Sequence, residues 1–311
     1  VSKRPTSLDD IDRRIVDGLR AEARGISGER LGAALGMSRV ALWKRIQALK
    51  AWGYGIESGV FGHRLAIDDG IAPWELDPPG QLTLVAKTGS TMDEVWRLAV
   101  AGAPSGSLAL ALEQASGRGR LGGSWASPPG GLYFTVLLRV SLPGSYIGAV
   151  ALEAGQALMA EFVGTGLEYR WPGSILMESA LPDRVSDPTT SKAGGILVEH
   201  RPLSTGEQGY AIGIGLRAQA IASLGASRAR RAALAVAIAR RMAAWAAAPV
   251  CEGGRWASLA PPSGRPVSAE LWDGSLRRFA PAGFNPRGEL LEATGGLSLH
   301  LFECVELHEG V

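Results

Sequence analysis

Apolar residues near the start of the chain recur at helical spacing: Leu8, Ile11, Ile15, Val16 and Leu19 share one face, and Gly25 stops the run. A shorter helix is expected over Gly28 to Leu35. Gly36-Met37-Ser38 then makes a tight turn with Ser38 placed to cap, and a third helix runs from Arg39 to about Trp52 with Val40, Ile46 and Leu49 facing inward. This is helix-turn-helix spacing. It leaves Arg39, Lys44, Arg45 and Gln47 on the outward side, with Trp43 beside them, where they would meet phosphates and base edges in a major groove. Gly53 ends the helix, and Tyr54 to Ala66, punctuated by Gly55, Gly59 and Gly62, reads as the two-stranded wing of a winged-helix domain. The competing reading is a three-helix protein-binding module with a solvated basic face.

Pro73 and the Pro78-Pro79-Gly80 cluster supply a linker, after which strand and helix patterns alternate. Strands are expected at Leu82 to Ala86, Ser107 to Glu113, Leu132 to Arg139, Leu167 to Trp171 and Gly209 to Leu216, with a hairpin around Ala193 to His200 and helices at Met92 to Ala101 and Ile147 to Val163. The arrangement is α+β. A helix from Ser227 to about Ala248 closes it, and Arg265 to Trp272, Gly274 to Ala280 and Gly288 to Ala293 read as short strands of a small barrel. The expected division is residues 1–70, a linker at 71–81, a central domain at 82–252 and a C-terminal domain at 253–311.

Composition narrows this picture. Hydrophobic content of 46% and charged content of 20% describe a soluble, cytoplasmic globular protein, and the most apolar helix, Ala232 to Ala248, is broken by Arg240 and Arg241, so no membrane association is expected. Cys251 and Cys304 are far apart and lack clustered histidines, which indicates neither a disulfide framework nor a zinc site. Charge is uneven: up to Arg64 there are 12 Lys or Arg against 7 Asp or Glu, and beyond it 20 against 23. A basic N-terminal segment on a mildly acidic body suits a nucleic-acid-binding appendage.

The most informative chemistry lies at Gln114-Ala115-Ser116-Gly117-Arg118-Gly119-Arg120-Leu121-Gly122-Gly123-Ser124-Trp125, where two arginines stand inside a run of glycines between two apolar strands. Glycine lets the backbone approach an anion closely, and each guanidinium offers a planar fork of donors to its oxygens. The expected ligand is a phosphate ester or acyl phosphate. The plainer alternative is a flexible hairpin tip whose arginines face water.

This loop resembles the ligand-binding loop of biotin protein ligases. Thr88-Gly89-Ser90-Thr91-Met92 is similar to the strand-end motif that begins the biotin site in that family, and Ser191-Lys192-Ala193-Gly194-Gly195-Ile196-Leu197-Val198-Glu199 to the segment whose lysine meets the ligand's carboxyl end. Glu29 to Gly32 and Leu35 to Arg39 resemble the operator-binding domain of the bifunctional ligases that double as biotin operon repressors. The resemblance implies a multidomain α+β protein: an N-terminal winged helix-turn-helix, a central mixed sheet related to class II aminoacyl-tRNA synthetases, and an SH3-like C-terminal barrel.

It also implies a two-step chemistry. The carboxylate of biotin attacks the α-phosphate of ATP, supplied with Mg²⁺, giving biotinyl-5′-adenylate and pyrophosphate, and a lysine of a biotin carboxyl carrier protein then takes the acyl group. Arg118, Arg120 and Lys192 would bring the two anions together. Ser90, Thr91 and Gln114 would hydrogen-bond the ureido head, Gly117, Gly119 and Gly195 would line the ligand, and Trp125 would cover the purine or the apolar chain. Ser38, Arg39, Trp43, Lys44, Arg45 and Gln47 would contact operator DNA, as a homodimer on a two-fold site.

Departures from the family pattern concern the nucleotide side. Where the family carries Lys-Trp-Pro-Asn-Asp, this chain has Arg170-Trp171-Pro172-Gly173-Ser174, and the asparagine expected after the Gly-Ile-Gly strand is missing from Gly213-Ile214-Gly215-Leu216-Arg217. Met92 takes the third place of a Ser-Thr-Asn motif, and the stretch from Glu178 to Lys192 is an insertion in which Asp183 or Asp187 would have to replace the lost carboxylate. The metal ligands are unknown from sequence. Three readings stay open: an active ligase and repressor, a regulator that senses biotin or a related acid without adenylating it, and a lipoate-type ligase, which the double-arginine loop disfavours.

Overall fold

The computed structural model describes residues 8–177, 192–223, 230–261, 263, 265–295 and 298–309. They fall into two compact units, one of Val1–Asp77 with Gly225–Val236 and the other of Pro78–Leu224 with Ala237–Val311.

In the first unit, helix α1 (Asp10–Ala21) starts at a reciprocal cap: the Asp9 carboxylate accepts from the amides of Ile11 and Asp12, while that of Asp12 accepts from the amide of Asp9 at 3.0 Å. Helix α2 (Gly28–Leu35) is capped by Ser27 and stopped by Gly36, whose φ is 65°. The Ser38 hydroxyl accepts from the Ala41 amide and starts helix α3 (Arg39–Ala51). Leu42, Ile46 and Leu49 form the buried row of α3. Val40, expected to face inward, is 65% exposed. It precedes Leu42 by two residues, roughly 200° around the helix, so the two face opposite sides. Ile11 of α1 is likewise exposed.

Strands β1 (Gly55–Gly59) and β2 (Gly62–Ile67) pair antiparallel as a wing, tied to the helices by a bridge between His63 and Ile26. Within the segment read as a linker, Ile71, Ala72 and Leu76 are buried.

The second unit is built on a seven-stranded mixed sheet. Its elements are β3 (Leu82–Thr88), α4 (Thr91–Val100), β4 (Leu108–Gln114), β5 (Leu132–Val140), α5 (Ile147–Glu161), β6 (Leu167–Arg170), β7 (Ser174–Met177), β8 (Lys192–Pro202) and β9 (Gln208–Leu216). Strand order is β3-β4-β5-β9-β8-β7-β6; β3 and β4 run parallel, and every other neighbouring pair is antiparallel. The crossover between the parallel strands is α4, whose Met92, Val95, Trp96 and Ala99 pack on Ala109, Leu137 and Ala211 of the sheet. Helices α6 (Ala218–Ser223) and α7 (Arg231–Ala247) follow β9.

The C-terminal strands are β10 (Val267–Leu271), β11 (Leu276–Phe279), β12 (Pro281–Phe284), β13 (Leu290–Glu292), β14 (Ser298–Leu299) and β15 (Cys304–Glu309). They form two three-stranded antiparallel sheets, β11-β10-β15 and β12-β13-β14. Pro281 is the first residue of β12, a place where a missing amide is tolerated. This region is anchored to α5 through Glu153, a buried carboxylate that accepts from Arg255 at 3.0 and 2.9 Å and from the indole of Trp256 at 3.2 Å.

Candidate functional site

The ends of β3 and β4, the glycine-rich loop and the facing strands β8 and β9 enclose a cavity of about 270 Å³. At its polar end, Ser90 caps α4 and is buried. The amide and hydroxyl of Thr91 donate to Oε1 of Gln114 at 2.8 and 3.1 Å, and the Gln114 amide group donates to Ser127 at 2.8 Å. Capping and pocket lining coincide here. The cluster is uncharged, with its amide held in one orientation, as recognition of a neutral polar group requires.

The glycine loop is a closed hairpin and not a slack tip. The Trp125 amide donates to Gly117 at 2.8 Å, the Gly119 amide donates to Gly123 at 2.7 Å, and Arg118 bridges to Ser124. Its tip turns through Leu121 (φ 52°) and Gly122 (φ 77°).

The hairpin brings Trp125 over the sheet, where the register of β8 with β9 sets Gly195 opposite Gly215. A side chain on Gly215 would put its Cβ 2.5 Å from the Trp125 indole nitrogen, so glycine here is what lets the ring lie down on the strand. That nitrogen is buried without a hydrogen-bond partner.

Lys192 reaches the same cavity because β8 is bulged against β7. Ile175 pairs with Gly194 but Leu176 pairs with Lys192, so Ala193 is the extra residue and Lys192 is turned onto the face carrying Gly195. Burial pulls the Lys192 ammonium below its ordinary pKa, the nearby Glu306 carboxylate partly offsets this, and the fields of Arg120 and Arg217 add to the depression.

The two loop arginines are engaged differently. Arg118 donates to Asp93 at 2.8 Å and to Glu199 at 3.2 Å; burial opposes its charge, but these carboxylates outweigh it and raise its pKa. Arg120 instead directs its guanidinium at the backbone carbonyls of Leu301 and Cys304, and burial lowers its pKa. The expectation that Arg120 is held ready for an anion is therefore corrected: its fork is taken up by carbonyl oxygens of the C-terminal region.

The departures from the family pattern divide in two. Gly173 and Ser174 line the cavity, as does Met92. Leu216 does not; it is wholly buried on the opposite face of β9, where its side chain would meet a Cβ on Gly194 at 2.6 Å. Its assignment to the nucleotide side is corrected: Gly213, Ile214 and Gly215 of β9 line the cavity and Leu216 does not. Arg217, the next residue, has no role in the motif reading but stands beside a residue that lines the cavity, Trp125. Its guanidinium carbon lies 5.6 Å from the ring centre of Trp125. The insertion at 178–191, with Asp183 and Asp187, lies outside the described residues.

Among the described lining residues, the side-chain oxygens belong to Ser90, Thr91, Gln114, Ser124 and Ser174, with no carboxylate. Such a set does not fit Mg²⁺, which takes one or two carboxylates together with substrate phosphates.

In the first unit, Ser38, Arg39, Trp43, Lys44 and Gln47 are exposed along the outer side of α3, with Arg39 donating to Glu29 at 2.9 Å. Arg45 departs from the expected set: its guanidinium lies 2.8 Å from Asp9 and 2.9 Å from Asp12, clamping α3 to the start of α1. Val60 and Phe61 are exposed at the wing tip.

The fold and pocket define a protein that joins a winged helix-turn-helix to a ligase-type α+β domain. Residues 84–217 match the Biotin/lipoate A/B protein ligase family, and residues 13–59 match the HTH domain. The chain is thus similar to the biotin ligase/repressor proteins in both its ligase-type and its helix-turn-helix regions. It is 30% identical over 204 residues to the bifunctional ligase/repressor BirA of Bacillus subtilis, a match covering 61% of this chain and 59% of that protein. The match to BirA of Escherichia coli is 32% over 190 residues, covering 56% of this chain and 53% of the other. The chain thus spans between half and two thirds of the length of these curated relatives. The fold is similar to that of the biotin protein ligase of Aquifex aeolicus solved with biotin and ATP, with a TM-score of 0.53 at 20% identity, covering 74% of this chain and 99% of that one.

Proposed function

We propose that this protein activates biotin with ATP to biotinyl-5′-adenylate, transfers the acyl group to a lysine of a biotin carboxyl carrier protein, and acts as a biotin-responsive, dimeric repressor on operator DNA. The observation that carries the reading is the cavity itself, which is lined by a fixed, neutral hydrogen-bonding cluster, by the cations Arg118, Arg120 and Lys192, and by Trp125. Ser90, Thr91 and Gln114 take the ureido head. Arg118 and Lys192 draw the biotin carboxylate and the α-phosphate together, a step opposed by repulsion between two anions and favoured by preorganised positive charge. The carboxylate oxygen bonds to phosphorus as the bond to pyrophosphate breaks. The hairpin of Gly117, Gly119 and Arg120 covers the adenylate and keeps water from the mixed anhydride. In this reading the central sheet is of the class II synthetase type, the C-terminal strands form an SH3-like barrel, residues 1–70 bind DNA, and the protein works in the cytoplasm.

A second reading is favoured by Gly173 and Ser174, which line the cavity without an amide or a carboxylate: the protein binds biotin but does not adenylate it. Incubation with biotin and ATP, followed by assay for pyrophosphate and acyl-adenylate, separates the two. Turnover supports the ligase. Biotin binding without turnover supports the sensor, and absence of biotin binding overturns both.

A further inference from the structure

Cations surround the Trp125 end of the cavity, yet only some of their charge is available to a ligand. Arg118 is matched by Asp93 and Glu199, and Arg120 is turned onto backbone carbonyls. Lys192 and Arg217 remain. Neither has a carboxylate within ion-pairing distance among the described residues, and the fields of Arg120 and Arg217 both act against the Lys192 charge. Their positions are fixed by backbone: the Arg217 amide donates to the carbonyl of Ala193 at 2.8 Å, which holds the end of β9 beside the bulge that turns Lys192 inward. Arg217 also stands over the ring of Trp125, which lines the cavity.

Like charges gathered beside a binding cavity, offset at Lys192 by the field of Glu306 but with no described carboxylate in an ion pair with either cation, are unfavourable in the free protein and favourable once a polyanion enters. The same cavity lacks a described carboxylate to hold a divalent cation. We propose that Arg217, together with Lys192, neutralises the polyphosphate of the nucleotide, a role the chain's own cations fill in place of a metal ion held by protein carboxylates. The inference rests on the ligase reading for the identity of the anion as a nucleoside triphosphate. It makes Arg217 a binding residue for the phosphates, with no part in recognising the neutral ureido head.

The test is calorimetric titration of the full chain with ATP, AMP and biotin, each in EDTA and in Mg²⁺. The native protein is expected to bind ATP in EDTA within about threefold of its affinity in Mg²⁺. Arg217→Asn should weaken ATP binding in EDTA by about tenfold or more, the effect of losing one charge-assisted contact, with a smaller loss for AMP and an unchanged affinity for biotin. Unchanged biotin affinity also establishes that the variant is folded, and Arg217→Lys should recover most of the loss because a point charge serves a phosphate. ATP binding that requires Mg²⁺ in the native chain, or that is the same in Arg217→Asn, overturns the inference while leaving biotin binding and the ligase reading intact. Failure of the native chain to bind either biotin or ATP overturns both together.

Discussion

The Arg118 guanidinium donates to the Asp93 carboxylate at 2.8 Å, so the glycine loop's first arginine is already neutralised by the helix that carries Ser90 and Thr91. An incoming anion must compete with that carboxylate or share the guanidinium with it. Both side chains are partly exposed, at 35% and 45%, and pairs of this kind contribute roughly 0.2–1 kcal/mol. Asp93→Asn is therefore expected to tighten binding of a non-hydrolysable biotinyl-adenylate analogue by about 1.4-fold to fivefold, the equivalent of that range. Calorimetry gives the answer, and unchanged or weaker binding would show that the Asp93 pair organises the loop more than it restrains it.

Arg120 makes a different prediction because its partners are carbonyls. Removing it leaves the acceptors of Leu301 and Cys304, on the C-terminal region, without their donor. Arg120→Ala should lower stability by about 1–3 kcal/mol, seen as a fall in Tm of several degrees. Arg120→Lys should recover little of it, since an ammonium lacks the planar fork that spans several oxygens. A Tm within error of the native protein would remove Arg120 from any structural role.

These two arginines also mark where sequence stopped being legible. The helix-turn-helix and the alternating central domain could be read from local periodicity and turn chemistry, whereas the pocket-lining set Ser90, Thr91, Gln114, Trp125, Lys192 and Gly195 followed from the resemblance of three motifs to a known family. What Arg118 and Arg120 touch depends on Glu199 and Leu301, 81 and 181 residues away, and no local pattern carries that information. Leu216 was misplaced for a simpler reason: a one-residue step along a strand reverses the face. Strands β7 and β15 were missed because β7 is four residues long and follows a Pro-Gly pair, while β15 mixes charged and apolar positions at the chain's end.

Lys192 supplies a pH dependence. Burial depresses its folded pKa below the ordinary value of 10.5, so between the two values the unfolded chain binds more protons than the folded one. Stability contributed by this group therefore rises as pH increases through that window and is lowest at neutral pH, where the folded protein must carry the buried charge. Lys192→Met removes the burden. Its Tm should exceed that of the native protein at pH 7, and the difference should shrink as pH approaches 10.5, while affinity for the adenylate analogue falls by about tenfold or more. A Tm difference that stays constant across the range, or a variant that keeps its affinity, contradicts the placement of Lys192 as a half-buried cation facing the ligand.

On the DNA-binding unit, Lys44 and Arg45 are adjacent in sequence but differ in what holds them. Lys44 is exposed on the outer side of α3, whereas Arg45 reaches Asp12, a carboxylate only 3% exposed that also caps α1. Arg45→Ala leaves that buried charge uncompensated and should destabilise the unit by about 2–4 kcal/mol, with DNA binding lost only to the extent that folding is lost. Lys44→Ala should leave Tm unchanged and weaken DNA binding across sequences, and the slope of log affinity against log salt should decrease in magnitude by about one. Titrating both variants with a duplex at several salt concentrations, alongside thermal melts, separates the roles. If Arg45→Ala alters the salt slope at full stability, Arg45 faces the phosphates after all and the Asp12 clamp opens on DNA; if Lys44→Ala alters neither affinity nor slope, the outer face of α3 is not the surface that meets the duplex.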